Sequence, residues 1–163
     1  MEIIIIGSGT GVPYLRRGSP ATVIRTGDRL LLLDSGSGTL RRMLEAGIDW
    51  KGVDYLLYSH FHPDHTADLV PFLFASNYGS DAARTRELTI IGPVGMAAFY
   101  DKLKGIYGKW IFPQEYSMHI EEISAGKHFS DTISGSTLYA GGQFRRLFLK
   151  ILILCRFGRR LEL

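Results

Sequence analysis

Three of the chain's five histidines fall within seven residues, Ser59-His60-Phe61-His62-Pro63-Asp64-His65. The stretch directly follows an apolar segment, VDYLLYS (53–59), that reads as a β-strand. Imidazole nitrogens and carboxylate oxygens are the donors that suit Zn²⁺ and related ions. On an extended segment, residues two apart point the same way, so His60 and His62 can reach one ion and Asp64 continues the alternation. His65 adjoins Asp64 and could face the same cavity where the loop turns into a helix. Four donors so close together could serve two ions a few ångströms apart, as in two-metal hydrolytic sites. Pro63 stiffens the loop and lowers the entropic cost of holding that geometry. A solvated polar loop would explain one histidine. It does not explain H-x-H-x-D-H at the carboxyl end of a strand.

The rest of the chain reads as strands with interspersed helices. EIIII (2–6) is expected to be a buried strand, followed by a glycine-rich loop, 7–19. ATVIRT (21–26) and RLLLLD (29–34) read as a hairpin turning at Thr26-Gly27-Asp28. SGSGT (35–39) leads into a helix, TLRRMLEAG, with Ser37 or Thr39 as its expected cap and Gly47 as its stop. After His65, TADLVPFLFASN has helical spacing, with Pro71 near its first turns. ELTIIG (87–92) reads as a strand, 92–108 as a helix, EYSMHIEEIS (115–124) as a strand and 126–140 as a short hairpin. This pattern predicts a mixed α/β layered fold rather than an all-parallel sheet.

The sequence resembles the metallo-β-lactamase fold superfamily, and its ribonuclease Z-like branch in particular. SHFHPDH matches the H-x-H-x-D-H signature at each defining position. MEIIIIGSGTGVP is similar to the family's first strand and loop, and LLLLDSGSGT to its Asp-x-Gly segment, which places Asp34 and Gly36. GPVGMAAFYDKL is similar to the branch's Gly-Pro-x-Gly segment. The resemblance implies an αββα sandwich and a dinuclear site, usually zinc, with Mn²⁺ as an alternative. His60 and His62 would bind one metal, Asp64 and His65 the other. A metal-bound hydroxide would be the nucleophile, and Asp64 would also help to move a proton. Asp34 would be a buried residue fixing the loop behind the ligands. Taken alone, it reads equally well as a strand-end turn. The implied substrates are esters or phosphodiesters, RNA among them.

The family also supplies later ligands: a third histidine, a bridging aspartate and a last histidine. After the cluster this chain has only His119 and His128, and neither stands at the expected place. His128 would fall on a turn, and Asp131 arrives too early. Each is expected to be an ordinary polar residue. From Gln143 the resemblance stops. The segment 143–163 carries Arg145, Arg146, Lys150, Arg156, Arg159 and Arg160 against Glu162, leaving 13 basic and 15 acidic residues before it. The basic pI of about 9.1 therefore belongs to this tail. It shows no strand–turn logic. The expectation is residues 1–142 as the first part of the family domain and 143–163 as a non-native tail after a truncation, with the second half of the sandwich largely missing. Two ligands per ion would hold metal weakly. Exposed half-core surface would favour a homodimer.

The other readings are a chain without turnover that binds metal weakly, and a binding module whose basic tail meets RNA phosphates or lies on a membrane surface. No apolar stretch approaches the roughly 20 residues of a membrane span, and MEIIIIGSG reads as a strand rather than a signal peptide. The single cysteine, Cys155, forbids an internal disulfide, fits a cytoplasmic setting and, in an apolar run, is not a nucleophile. GSGTG (7–11) lacks the third glycine and the helix of a dinucleotide site, since Val12 and Pro13 follow. Trp50, Trp110 and the aromatics around Phe72 and Phe74 are expected in the core.

Overall fold

A computed structural model describes residues 1–78 and 83–124 throughout. Beyond them it describes the backbone of four strands: 128–133, 136–143, 148–154 and 160–162. Six strands form the first sheet in chain order: β1 (Glu2–Gly7), β2 (Ala21–Thr26), β3 (Arg29–Leu33), β4 (Val53–Leu57), β5 (Leu88–Pro93) and β6 (Met118–Ile123). β1, β2 and β3 pair antiparallel, whereas β3 to β6 run parallel. The predicted hairpin and the predicted mixture of strand directions are both present. Among the described residues four α-helices connect the strands: α1 (Thr39–Glu45), α2 (Pro63–Thr66), α3 (Leu69–Tyr78) and α4 (Met96–Tyr107).

The central strands are apolar on both faces, and each face is buried. Val23, Leu32, Leu56 and Ile90 join Met43, Phe72 and Leu73 of the helices in one cluster. Ile24, Leu31, Leu57 and Ile91 form a second cluster on the alternate residues. All four are fully buried, so the expected exposure of half the core is not found there. Continuous runs such as LLLL pack this way because successive side chains point to opposite faces. β1 differs. It is an edge strand, and only Ile6 is buried while Ile3 and Ile5 are exposed. The run of isoleucines predicted a strand correctly but overstated its burial, because an edge strand need cover only one face.

A second sheet runs β10-β9-β8-β7, with β7 (His128–Ile133), β8 (Ser136–Gln143), β9 (Phe148–Leu154) and β10 (Arg160–Glu162). Each neighbouring pair is antiparallel. β7 and β8 are the expected hairpin. His128 opens β7 opposite Gly141, which corrects its placement on a turn. The absence of strand–turn logic after Gln143 is corrected too. FLKILIL, rich in β-propensity, forms β9 and pairs with β8. The boundary drawn after Gly142 falls inside β8. Arg145, Arg146, Cys155, Arg156 and Arg159 lie outside the described residues.

Two local features differ from expectation. Neither Ser37 nor Thr39 caps α1, whose first turn follows Gly38 in a left-handed conformation. Its amides are met by Asp68: Gly38 N donates to Asp68 Oδ1 (2.9 Å) and Leu40 N to Oδ2 (3.0 Å). α4 starts at Met96, later than predicted, because Gly92 and Pro93 belong to β5 and Gly95 turns the chain at φ 100°. Among the described residues, no helix is long and apolar enough to cross a membrane.

Candidate metal centre

The parallel strands β3 and β4 deliver two loops to the same edge of the sheet. At the end of β3, Asp34 N donates to Leu57 O (2.7 Å), so the ladder continues one residue past the strand. Asp34 then adopts φ 55°, the sole positive value on a non-glycine among the described residues. Aspartate tolerates this region better than most side chains. The turn aims its carboxylate across to the other loop. Ser59 N donates to Asp34 Oδ1 (2.8 Å), and the Ser59 hydroxyl lies 2.9 Å from Oδ2. His65 Nδ1 lies 2.8 Å from the same Oδ2. Asp34 is therefore both readings at once, a strand-end turn and a residue that fixes the histidine loop.

The loops are joined by backbone as well. Ser35 N donates to His65 O, and Asp68 N donates to Ser35 O, each at 2.8 Å. A Cβ on Gly36 would stand 2.1 Å from Asp64 O, so any larger residue would push the loops apart. Behind them, Ser35 Oγ and Tyr58 Oη share a buried hydrogen bond of 2.6 Å. Full burial raises the Tyr58 pKa well above its ordinary value, so the hydroxyl stays neutral.

The four predicted ligands gather on this rim. The His60 ring centroid is 4.5 Å from that of His62 and 4.0 Å from that of His65, and His65 Nε2 is 3.6 Å from Asp64 Oδ2. Two of the imidazoles are oriented by their inner nitrogens. His65 Nδ1 donates to Asp34, and His60 Nδ1 pairs with Ser59 Oγ at 2.9 Å. A hydroxyl that donates to Asp34 accepts from His60, so in the neutral form of either ring the lone pair lies on Nε2. The His60 pKa is lowered, first by burial and then by the charges of His65 and His62. Neutral imidazole is the form that binds a metal.

In kind, this donor set fits zinc or a similar ion. In number it falls short: among the described residues, no group of three or more His, Cys, Asp or Glu is placed to hold a metal ion. His119 lies away from the rim on β6, exposed and 3.2 Å from Glu87 Oε1. The side chains of His128 and Asp131 lie outside the described residues.

Sequence reasoning missed Ser59 and Asp68. Ser59 carries its own signal, immediately before the first histidine of the motif. Asp68 carries none, since its partners at Gly38 and Leu40 are nearly thirty positions away. The expectation for the aromatics divides. Trp50 and Phe72 are core residues in edge-to-face contact at 5.8 Å. Trp110 and Phe74 are exposed, because each apolar segment presents one face to water.

The family model of the metallo-beta-lactamase superfamily matches residues 15–132. Ribonuclease Z of Mycobacterium marinum is 34% identical over 109 residues, covering 67% of this chain and 39% of the relative. Ribonuclease BN of Citrobacter koseri is 33% identical over 144 residues, covering 86% of this chain and 45% of the relative. The chain thus spans less than half the length of these curated relatives. Among solved structures, the short form of human tRNase Z superposes with a TM-score of 0.80 at 18% identity, over 100% of this chain and 68% of its own. The metallo-beta-lactamase fold protein YhfI of Bacillus subtilis follows at 0.70 and 21%, over 98% and 59%.

Proposed function

The chain belongs to the metallo-beta-lactamase superfamily, and on that premise we propose that it is a metal-dependent hydrolase of phosphodiesters in the ribonuclease Z-like branch. The observation that carries this reading is the oriented rim: His60 and His65 present Nε2 beside His62 and Asp64, with Asp34 and Ser59 holding the inner nitrogens. The printed names of the curated relatives, ribonucleases Z and BN, support the choice of phosphodiester. RNA is then the partner class, and a lone cysteine suits a cytoplasmic setting.

His60 and His62 would hold one ion and Asp64 and His65 a second, zinc first and Mn²⁺ as the alternative. When bound, such an ion supplies Lewis acidity and a more acidic water. The protein supplies orientation. Asp34 keeps His65 in one tautomer, and Ser59 does the same for His60. Asp64, whose Oδ2 lies 3.6 Å from His65 Nε2, would also help to move a proton. Gly11 packs against Asp64, where an added Cβ would be 3.3 Å from the aspartate Cβ. The glycine loop that contains it lines a cavity of about 450 Å³ with Tyr14 and Arg17. That cavity would offer a phosphate-bearing substrate the Arg17 cation. A homodimer remains part of the reading, because the edge strand β1 leaves Ile3 and Ile5 exposed.

One observation favours a second reading. Since no three donors among the described residues are placed to hold an ion, the chain would bind metal weakly and without turnover. Elemental analysis of the purified protein separates the two, with the His60→Ala/His62→Ala variant alongside and bis(p-nitrophenyl) phosphate as substrate. The hydrolase reading expects close to two zinc per chain and turnover, both lost in the variant. Sub-stoichiometric metal with no turnover establishes the weak binder instead.

A further inference from the structure

Away from the metal rim, α3 and the segment after α4 build an exposed aromatic surface. Phe74 and Tyr78 of α3 and Trp110 contact one another, with ring centroids 5.0, 5.5 and 6.1 Å apart. Phe112 follows two residues after Trp110 in the chain. All four are more than two-fifths exposed: Phe74 45%, Tyr78 43%, Trp110 48% and Phe112 48%. Clusters of this size are seldom left in water without a partner. Lys109 Nζ sits 5.1 Å from the Trp110 ring centre and Lys104 Nζ 5.2 Å from that of Phe112. From Asp101 to Glu115 the chain carries three lysines, Lys102, Lys104 and Lys109, between two acids, and Asp101 shares a hollow with Phe112, while α3 carries no charge at all.

The surface is also held in place from beneath. Asn77 is buried and spends its amide on this segment: Nδ2 donates to Phe112 O (2.8 Å) and Trp110 O (3.3 Å), and Oδ1 accepts from Gln114 N (3.2 Å). A buried polar group with its partners satisfied fixes the loop that displays Trp110 and Phe112. Rigid aromatics cost little entropy when they bind.

We propose that this patch is a stacking platform for the unpaired bases of an RNA strand. Flat rings stack on bases of any sequence, and ammonium groups beside them meet the phosphates. The two ammonium groups that lie over Phe112 and Trp110 favour a phosphate-bearing strand over an apolar protein face. The proposal rests on the phosphodiester reading for its choice of RNA.

The test uses the full chain in EDTA and a twelve-residue oligouridylate. Trp50 is buried, so a change in tryptophan emission on binding reports Trp110. Quenching is expected, together with affinity, read from the anisotropy of a labelled oligouridylate, at least about tenfold weaker in Trp110→Leu, the loss of one stacked base. Lys104→Ala/Lys109→Ala should reduce the slope of log affinity against log salt by about 1.4. Unchanged affinity in both variants overturns the platform. So does a changed sedimentation coefficient in Trp110→Leu at unchanged RNA affinity, which would make the patch a contact between copies of the chain. Patch-dependent RNA binding by a chain that does not cleave bis(p-nitrophenyl) phosphate keeps the platform and removes the hydrolase. Cleavage with patch-independent RNA binding does the reverse.

Discussion

The two ends of strands β3, β4 and β5 both carry polar clusters, and they use charge in opposite ways. At the amino end, Asp54 is buried where the β3–β4 register shifts between Leu30 and Leu31. Its carboxylate accepts from Leu30 N (2.8 Å), Arg29 Nη1 (3.0 Å) and Arg86 Nε (2.5 Å). Beside it, buried Arg84 donates to the carbonyls of Lys51, Val53, Arg86 and Glu87. Burial lowers the Arg84 pKa to about 10, which leaves it a cation at neutral pH. Every charge there is answered locally. At the carboxyl end, Asp34 spends both oxygens on orienting Ser59 and His65, and three imidazoles are crowded together, two of them held by their inner nitrogens. The amino end is finished by the protein. The carboxyl end, on the proposed reading, is arranged to receive an ion.

If that contrast is right, substitutions at the two ends should fail in different currencies. The largest effect belongs to Arg84→Met, which leaves several buried carbonyls without a donor. The expected cost is about 3 kcal/mol or more, read from the urea midpoint at unchanged m-value. Metal content per folded chain should stay the same. Arg84→Met depleting the metal at full stability would erase the distinction.

Next comes Asp34→Asn. Asparagine keeps the backbone turn, since it also tolerates positive φ, and its carbonyl oxygen can still accept from Ser59. Its amide then faces His65 Nδ1, donor against donor. His65 would shift its proton to Nε2 and lose the lone pair that a metal needs. Zinc affinity should fall by about 10- to 100-fold, with stability within about 1 kcal/mol of the parent. Competition with a chromophoric chelator gives the first number and urea unfolding the second. A large loss of stability with affinity intact would place Asp34 with the amino-end cluster, as a brace and nothing more.

How far the sequence could be read follows the same divide. The histidine rim was legible because its donors are neighbours in the chain, and strand geometry alone aims His60 and His62 together. The mixed layered fold was legible because a hairpin of strands is followed by strands that alternate with helical segments, whereas the parallel pairing of β3 to β6 was not read. Arg84 was not legible, because its burial depends on the carbonyls of Lys51 and Val53, more than thirty positions away, meeting those of Arg86 and Glu87 around it. Trp110 was misplaced for a related reason: its segment is apolar, and local sequence does not say which face meets water. The pairing of β9 with β8 was hidden as well, since the basic residues around FLKILIL read as a tail.

The smallest effect tests where the site ends. Asp68 touches neither cluster, yet it spans the two loops of the rim. Its carboxylate holds the first amides of α1, and its own N–H donates to Ser35 O, next to Asp34. In Asp68→Asn one oxygen remains to accept, and the new amide confronts the other N–H. The expected cost is about 1 kcal/mol, the ordinary value of a helix cap. The Ser35 contact is made by backbone and survives, so zinc affinity should change by less than about threefold. An affinity loss as large as that of Asp34→Asn would show that the position of α1 sets the rim. The site would then begin at a helix cap rather than at the histidines, and the division between a structural and a chemical end would need redrawing to include α1.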